Sequence, residues 1–482
     1  MKEPEAIADY LAQIDARLLK QVSRHQAWHY KIIPKEVNPD TLVLYCDEKS
    51  DTQSLNHELE IILGKTIHLV PIPSSILAGL LTTHYSNVAG QHQFRGSSIA
   101  GEGDAFLSEL IHEAKDLKSS DIHIETYEEL CRVRIRIDGM MVERFVVKKS
   151  EYPALINKIK ITANLDIAEK RLPQDGRINF KGQREQFDIR VSILPTLYGE
   201  KVVLRLLNNS AANIELEKVG FSKFDLLNYM QGIKRPNGII LISGPTGSGK
   251  TTTLYATLKH LNKETRNILT IEDPIEYTLP GINQVQLKES IGLDFASALR
   301  TFLRQDPDII MVGEIRDAET ANMAIRAALT GHLVLSTVHT NSAWGTVSRL
   351  IDMGIPSFLV ANTLNTSVAQ RLVRLLCPSC KKETDFDPSF YPKQFKPFAP
   401  VTRHFVAKGC ERCYQTGYSG RKAVYEVIPL DHELTHEVKL GTLYIDALLQ
   451  ARGIKTLGEN AFSLFASGQT TIEEIYPLLF TN

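Results

Sequence analysis

The sequence predicts an α/β fold for the carboxyl-terminal half of the chain and two smaller α+β units before it. Two patterns support this fold class. From about residue 225 onward, apolar runs of strand length alternate with segments of helical periodicity, which is typical of a parallel sheet. A glycine-rich loop at residues 244–251 joins the first of these strands to a helix. Since the chain has 482 residues, its length alone predicts about three domains.

The overall composition is that of an ordinary globular protein, with 43% hydrophobic and 23% charged residues. A formal net charge of −1 leaves no basic footprint, which argues against a dedicated nucleic-acid binder. No apolar run approaches the roughly 20 residues of a membrane span, and residues 1–6 do not have the form of a signal peptide. We therefore expect a cytoplasmic protein that reaches a membrane only through a partner.

Residues 1–85 have the pattern of a small α+β unit. A helical pattern at residues 7–19 precedes apolar strands predicted at residues 41–46 and 67–71. Cys46 lies inside the first of these strands, so we expect a core residue rather than a reactive thiol. This unit contains no recognisable catalytic constellation.

A linker and a second α+β unit follow. Residues 86–103 are rich in glycine and serine and lack periodicity, which predicts a flexible linker. Residues 104–209 alternate helices with strands and are rich in arginine. The arginines concerned are Arg132, Arg134, Arg136, Arg171, Arg177, Arg190 and Arg205. They either cover a solvated sheet face, or some of them stabilise charge on a phosphate as arginine fingers.

The glycine-rich loop has the form G-x-x-x-x-G-K-[ST] and stands between an uncharged strand, residues 238–243, and a helix. Glycines let backbone N–H groups curl around a phosphate chain, and the helix amino terminus adds partial positive charge. Lysine at this position reaches the β- and γ-phosphates, and the following hydroxyl binds Mg²⁺. The predicted nucleotide-binding residues are Gly244, Pro245, Thr246, Gly247, Ser248, Gly249, Lys250, Thr251 and Thr252. This stretch predicts that the protein binds a nucleoside triphosphate with Mg²⁺.

Three further apolar strands end in polar residues. Glu272 ends the run at residues 268–272, Glu314 follows a glycine after residues 309–312, and His339 follows residues 333–338. Ligands of parallel sheets bind at the carboxyl ends of the strands, where a carboxylate can hold Mg²⁺ or orient water. His339 is a candidate sensor of the γ-phosphate. Each residue alone is better explained as structural, but three such strand ends beside one phosphate loop favour catalysis.

Two C-x-x-C pairs stand in the last third of the chain, with 29 residues between them. The two pairs together offer four thiolates, and this set predicts a tetrahedral, structural zinc site. The predicted ligands are Cys377, Cys380, Cys410 and Cys413. A redox pair or four free thiols are the alternatives. The intervening segment is rich in proline and phenylalanine, and we expect it to have little core of its own.

Together these segments resemble the secretion ATPases of type II secretion and type IV pilus systems, the GspE/PulE family. The resemblance covers about residues 104–482 and rests on specific motifs in a specific order. The matching stretches are Gly244–Thr251 (Walker A), Leu269–Tyr277 (Asp box), Asp308–Asp317 (Walker B), Thr330–Asn341 (His box) and the two C-x-x-C pairs.

This resemblance implies a RecA-like P-loop ATPase domain at residues 225–482, with a zinc element at 375–415. It implies a PAS-like second domain at 104–209 and a hinge at 210–224. The family forms hexamers in which the second domain covers a neighbour's nucleotide. That assigns arginine fingers to Arg177, Arg190 and Arg205. The resemblance also implies that Glu314 positions the attacking water and Mg²⁺ and is a candidate for the general base. Glu272 is the other candidate for the general base.

The resemblance further implies an ATP hydrolase that powers assembly of a pilus or pseudopilus at the inner face of the inner membrane. Residues 1–85 would then bind an inner-membrane platform protein, since they show no clear repeat for cyclic di-GMP. Two competitors remain: a nucleic-acid or conjugation-type P-loop motor, and a scaffold that binds ATP without hydrolysing it. Near-neutral charge argues against the first, and the acids and His339 at the strand ends argue against the second.

Overall fold

The structure is a computed structural model. It describes residues 30–38, 41–63, 65–74, 103–181, 186–207, 214–393 and 395–480, and isolated positions between 18 and 27 and between 76 and 81. The chain divides into two units, Met1–Gln93 and Phe94–Asn482. Apart from single positions at their ends, the helical pattern at residues 7–19 and the linker predicted at residues 86–103 lie outside the described residues. Among the helices that the structure describes, none combines the length and apolar character needed to cross a bilayer.

The first unit contains a small mixed sheet with one described helix of regular length. Its elements are β1 (Ile32–Val37), β2 (Thr41–Asp47), α1 (Thr52–Leu63) and β3 (Thr66–Ile72). The central strand β2 pairs antiparallel with β1 and parallel with β3. Most of β2 is buried, and Cys46 is fully buried in this core, in agreement with its predicted packing role.

The second unit begins with an antiparallel sheet in the order β6-β5-β4-β9-β8-β7. Its elements are α2 (Gly103–Asp116), β4 (Asp121–Thr126), β5 (Cys131–Ile137), β6 (Met140–Val147), α3 (Tyr152–Thr162), β7 (Gln174–Lys181), β8 (Gln186–Thr196) and β9 (Gly199–Leu206). One face of the sheet packs with α2 and α3 because apolar residues alternate along each strand. Arginines occupy the alternate positions on the other face of β5.

These β5 arginines are paired within their own domain. Arg132 and Arg134 donate to the Glu125 carboxylate at 3.1 and 2.9 Å, and Lys201 lies 3.1 Å from it. Burial opposes ionisation of Glu125, but these three cations outweigh it and lower its pKa to about 2. Arg136 lies 3.6 Å from Asp121. For Arg132, Arg134 and Arg136, the interpretation as a charge-balanced sheet face therefore fits the structure.

The rest of the second unit is built on a sheet in the order β12-β11-β13-β14-β10-β15-β18. Its strands are β10 (Gly238–Ser243), β11 (Ile268–Glu272), β12 (Asn283–Gln286), β13 (Ile309–Val312), β14 (Leu333–Val338), β15 (Leu364–Leu376) and β18 (Tyr418–Pro429), with the short β16 (Lys382–Asp385) and β17 (Arg403–Val406) between the last two. Pairs are parallel from β12 to β15, and β15 and β18 form an antiparallel hairpin. The predicted alternation of strands and helices is confirmed.

Helices pack on both faces of this sheet, and each face has its own apolar core. The described helices are α4 (Lys223–Ile233), α5 (Lys250–Leu261), α6 (Phe295–Phe302), α7 (Ala318–Leu329), α8 (Gly345–Asp352), α9 (Ser357–Thr363), α10 (His432–Leu440), α11 (Asp446–Ala451), α12 (Leu457–Ala466) and α13 (Ile472–Ile475). Strand β10 is buried along its whole length, so the loop that follows it starts from a fixed point.

The segment between the two C-x-x-C pairs packs on α12 and shares its apolar core with that helix. Strands β16 and β17 pair, and aromatic rings lie tilted or edge-on beside them. Phe386 and Tyr391 contact each other, and Phe386 also contacts Phe465 of α12. Phe398 contacts Phe462 of the same helix. The apolar partners come from a helix about 70 residues downstream, which local sequence patterns cannot reveal.

Candidate nucleotide site and cysteine cluster

The glycine-rich loop lies between β10 and α5 as predicted. Gly249 precedes the first residue of α5 and has φ +89°, a left-handed conformation that favours glycine. At Gly244, an added Cβ would lie 2.5 Å from the Gln370 carbonyl oxygen and 2.6 Å from the Ser248 hydroxyl. The loop therefore runs so close to β15 that a side chain at Gly244 would displace it. Glycine at this position therefore allows the loop to keep the path that suits a phosphate chain.

Lys250 lies inside the curve of this loop. Its ammonium group donates to the carbonyl oxygens of Gly244 at 2.7 Å and Pro245 at 3.1 Å. Burial lowers the pKa of Lys250; the charge of Glu314 opposes that shift, and the charge of Arg371 adds to it. Lys250 is therefore a partly desolvated cation near both a carboxylate and a second cation. A group in that environment gains from binding a multiply charged anion.

Glu314 and His339 meet at the carboxyl ends of β13 and β14. His339 Nε2 lies 3.5 Å from a Glu314 oxygen, and Arg316 pairs with the other oxygen. The strand ends are held together because the Thr337 hydroxyl donates to the Gly313 carbonyl at 2.8 Å. Strand β14 lies between β13 and β10, so these side chains stand beside the glycine-rich loop. The structure thus brings together Lys250, Glu314 and His339.

Glu272 has a different environment, although it also ends a strand. Its side chain is buried and accepts hydrogen bonds from Thr270 at 2.6 Å and Gln284 at 3.0 Å. Tyr255 of α5 donates to its second oxygen. Burial raises the pKa of Tyr255, and the negative charge of Glu272 raises it further, so this phenol stays protonated as a donor. Both oxygens of Glu272 therefore have partners within the protein.

The three arginines implied as fingers form one row across adjacent strands. Arg177 of β7 is directly opposite Arg190 of β8, and Arg190 is directly opposite Arg205 of β9. Arg177 pairs with Asp188 and has a side chain that is 64% exposed. Arg205 lies 2.9 Å from Asp121 and is 59% exposed. These two guanidinium groups are open to solvent beyond their carboxylate partners.

Arg190 is the member of the row that contacts the ATP-binding half of its own chain. It donates to the Ile275 carbonyl at 2.6 Å and lies 3.3 Å from the Glu276 carboxylate. Both residues follow the end of β11, within the stretch that resembles the Asp box. The second domain therefore touches the strand-end segment of the same chain through this arginine.

The four predicted cysteine ligands converge. Sγ–Sγ distances are 3.9 Å for Cys377–Cys410, 3.8 Å for Cys380–Cys413 and 3.7 Å for Cys410–Cys413. Tetrahedral zinc with Zn–S bonds of about 2.3 Å requires sulfurs about 3.8 Å apart. The Cys410 and Gly417 N–H groups each lie 3.2 Å from the Cys413 sulfur. Burial opposes ionisation of Cys413, but these N–H groups outweigh it and lower its pKa to about 7. The cluster is able to hold a metal ion.

Comparison with known proteins places these motifs in a family. A family model described as type II/IV secretion system protein matches residues 102–477. The chain belongs to the type II/IV secretion system protein family. It is 48% identical over 376 residues to the type IV pilus assembly ATPase PilB of Myxococcus xanthus, which covers 76% of this chain and 66% of PilB. It is 46% identical over 374 residues to type II secretion system protein E of Pseudomonas aeruginosa, covering 77% and 74%.

Solved structures agree with this membership. The pilus retraction motor PilT, solved with bound ADP, has a TM-score of 0.53 and 26% identity, covering 77% of this chain and 96% of PilT. The ATPase DotB of Legionella pneumophila has a TM-score of 0.59 over 78% of this chain and 95% of DotB. At 22% identity, DotB supports the fold alone. The predicted family and α/β RecA-like fold class are confirmed, and this member of the secretion family is an ATP hydrolase.

One residue beside the glycine-rich loop of this secretion ATPase, Arg371, was not predicted from local sequence motifs. Arg371 of β15 donates to the Gln370 carbonyl at 3.0 Å and to two oxygens of Asn341 at 3.3 Å. Its guanidinium lies 3.1 Å from where a Cβ of Gly244 would stand. Burial lowers the pKa of Arg371. Local sequence patterns do not place Arg371 at the loop, because only the parallel pairing of β10 with β15 brings it there.

Proposed function

We propose that this chain is the hexameric motor that drives assembly of a pilus or pseudopilus by hydrolysing ATP. The observation that carries the proposal is the convergence of Lys250, Glu314 and His339 around the glycine-rich loop. Relatives named as a type IV pilus assembly ATPase and as type II secretion protein E share nearly half of the residues across this region. Both names denote assembly or secretion systems rather than nucleic-acid motors.

In this proposal, side chains at the strand ends hold the triphosphate. Lys250 contacts the β- and γ-phosphates, and the backbone N–H groups of residues 244–251 hold the phosphate chain. Mg²⁺ would neutralise charge on the phosphates. The Thr251 hydroxyl and the Glu314 carboxylate would hold this ion. Glu314 orients the attacking water. His339, which contacts Glu314, senses whether the γ-phosphate is present. Glu272, which has three donors of its own, supports the end of β11.

Arginine fingers supplied by a neighbouring subunit complete the proposed site. Exposed arginines on a folded sheet are suited to this role because they reach a partner without local unfolding. Arg177 and Arg205 are solvent-exposed and lie at the two ends of one row, with Arg190 between them. We assign the first contacts with a neighbour's phosphate to these two. Arg190 then joins the row when the second domain moves away from Ile275.

The remaining parts of the proposal concern the metal and the partners. Zinc would be bound by the four cysteines, with no open position, so its role is structural. Residues 1–85 would bind an inner-membrane platform protein and so bring the ring to the inner face of the inner membrane. The protein would itself be cytoplasmic. No nucleic acid is required as a partner.

Phosphate release by the purified chain, with and without Mg²⁺, tests the enzymatic core of the proposal. Wild type should hydrolyse ATP only with Mg²⁺, and Lys250→Ala should lose turnover because it loses its contact with the phosphates. Arg403→Ala, an exposed arginine of β17, is the matched control that should retain wild-type turnover. Stimulation by DNA, with no response to vesicles of acidic phospholipid, would contradict the proposal and favour a nucleic-acid motor.

A further inference from the structure

A buried glutamate interrupts the apolar face of β18. Val424, Glu426 and Ile428 point to the same side of the strand because side chains alternate along it. Val424 and Ile428 belong to the apolar core on that side of the sheet. Glu426 is 4% exposed, and burial raises the pKa of its carboxyl group. A carboxyl group in a core destabilises the fold unless its oxygens are hydrogen-bonded.

Backbone N–H groups meet this requirement. One oxygen of Glu426 accepts from the Ala343 N–H at 2.8 Å, and the other accepts from the Leu457 N–H at 3.1 Å. Leu457 is the first residue of α12, where N–H groups have no partner within the helix. The described hydrogen-bond partners of Glu426 are thus backbone groups of two separate segments, rather than a lysine or arginine. Its side chain joins α12 to the segment that contains Ala343.

That segment is the loop from His339 to Trp344, between β14 and α8, which we call the histidine loop. At its front, His339 contacts Glu314, and Asn341 accepts from Arg371 beside the glycine-rich loop. Farther along, the Ser342 carbonyl accepts from Ser243, the last residue of β10, at 3.3 Å.

Behind these contacts, Ala343 is anchored through both its N–H and its carbonyl. The N–H donates to Glu426, and the carbonyl accepts from the hydroxyls of Ser367 at 2.6 Å and Thr346 at 2.9 Å. Residue 343 is fully buried. The front of the histidine loop therefore reaches the nucleotide site while its back is tied to β15 and β18. A loop held at one end in this way keeps the side chains at its other end in place.

We infer that Glu426 is a positioning residue for ATP hydrolysis, which holds the histidine loop so that His339 and Asn341 face the nucleotide. The inference rests on the proposed ATPase mechanism, since His339 acts there on the γ-phosphate. Glu426 also ties the same loop to α12, so the carboxyl-terminal helices and the nucleotide site share one anchor. Small displacements of catalytic groups are costly, and misplacement by about 1 Å can reduce turnover by about 100-fold.

The chain supplies its own reporter for this loop. It contains two tryptophans, and Trp344 ends the histidine loop with its indole N–H donating to the Thr442 carbonyl at 2.9 Å. In a Trp28→Phe parent, Trp344 is the sole tryptophan, and its buried ring should emit at short wavelength. Glu426→Gln keeps the size of the side chain but replaces one acceptor with an NH₂ donor that opposes a backbone N–H.

The test is a comparison of ATP turnover and Trp344 emission between this parent and Glu426→Gln. We expect kcat to fall by about 10- to 100-fold with KM for ATP within about 3-fold, and the Trp344 emission to shift to longer wavelength. Ser367→Ala removes the shorter of the two hydroxyl contacts to the Ala343 carbonyl with little change in volume, and should lower kcat in the same direction by a smaller factor. That variant tests the inference even if Glu426→Gln does not fold.

Asp431→Asn is the matched control. Asp431 is half-exposed and caps α10 by accepting from the Leu434 N–H at 2.9 Å, at the far end of the same β18. It should lower the unfolding temperature without changing kcat or Trp344 emission. If both anchor variants keep kcat within about 2-fold of the parent, or if Trp344 emission is unchanged in both, the inference is overturned. A parent without any turnover would instead overturn the proposed function, and the emission would still test the loop anchor.

Discussion

Two glutamates at strand ends show how environment separates residues of the same type. Glu314 contacts His339 and Arg316, and its charge acts on Lys250. Glu272 is buried, and its oxygens accept from three side chains of its own core. A carboxylate that already accepts three hydrogen bonds is a poorer acceptor for a water proton than one beside the phosphate loop. We therefore propose that Glu314, rather than Glu272, orients the attacking water and holds the metal.

Glu314→Gln should lower kcat by about 100-fold or more while retaining ATP binding, because the amide cannot take up a proton or bind Mg²⁺ as strongly. Steady-state phosphate release and equilibrium binding of a fluorescent ATP analogue measure the two effects. Glu319→Gln is the matched control, since Glu319 is an exposed carboxylate on α7 whose described partner is Arg300. A greater loss of kcat in Glu272→Gln than in Glu314→Gln would reverse the assignment.

Single residues differ in how far the sequence predicts their place. Lys250 and the loop glycines lie within one continuous motif, so the spacing of the motif was enough to predict their positions. Glu314 and His339 required one further step, the rule that parallel strands end at a common edge. Arg371 and Glu426 were not predicted as parts of the site. Their positions depend on the pairing of β15 with both β10 and β18, and no local pattern encodes that pairing.

At the scale of elements, the glycine-rich loop depends on its close contact with β15. An added Cβ at Gly244 would be 2.5 Å from the Gln370 carbonyl, a backbone atom that cannot rotate away. Strand β15 is itself held between β10 and β18. The loop would therefore have to move instead, together with the N–H groups that bind phosphate.

Gly244→Ala should abolish measurable ATP binding in a fluorescent-analogue titration, with only a small loss of thermal stability. Gly441→Ala is the control. Gly441 also has positive φ, at the end of α10, but an added Cβ there meets no atom within 4 Å. Alanine at Gly441 costs about 1 kcal/mol in the left-handed conformation. At Gly244, with φ +150°, alanine adds backbone strain to the steric clash, and both effects act on the loop. Equal ATP affinities in the two variants would contradict the account.

The cysteine cluster closes the end of the β15–β18 hairpin. Cys377 follows β15 directly, and its N–H donates to the Gly417 carbonyl at 2.9 Å, just before β18 begins. The aromatic rings of residues 386–398 pack on α12, so part of this region is held by that helix as well as by the cysteine cluster. Metal loss should therefore loosen the segment without unfolding the nucleotide site.

Zinc removal with a strong chelator should release about one equivalent per chain and lower the unfolding temperature by about 5 °C or more. Limited proteolysis should then cut within residues 378–416 first. Cys410→Ser should reproduce both effects, and Cys46→Ser, a buried cysteine outside the cluster, should not alter zinc content. Purified wild type that contains no zinc and behaves like Cys410→Ser would contradict the assignment.

Elements were predicted unevenly, for physical reasons. Strand β10 and helix α5 were predicted closely because a fully buried strand and a glycine loop have strong local signals. The packing of the segment between the two C-x-x-C pairs on α12 was not predicted, because the partner rings lie far along the chain. Where the domains begin and end, including the linker at 86–103, stays a prediction.

For the second unit as a whole, the second domain contacts the ATPase domain at two described places. Arg190 reaches Ile275 after β11, as described above. At the other place, Asp138 accepts from the Gly420 N–H at 2.6 Å and lies 3.5 Å from Arg421, and the Arg144 guanidinium lies 5.8 Å from the centre of the Tyr414 ring. These contacts involve charged or polar groups, which suits a joint that opens and closes by rigid-body movement. In the proposed ring, such movement would bring the arginine row to a neighbour's nucleotide.

The central claim, that one subunit completes the site of its neighbour, is tested most directly by mixing two inactive variants. Lys250→Ala has an intact arginine row, and Arg177→Ala has an intact phosphate loop. If the fingers act between subunits, the mixture should regain turnover that neither variant shows alone, and wild-type turnover per chain should rise with protein concentration. A mixture as inactive as its components, with wild-type turnover independent of concentration, would contradict the claim.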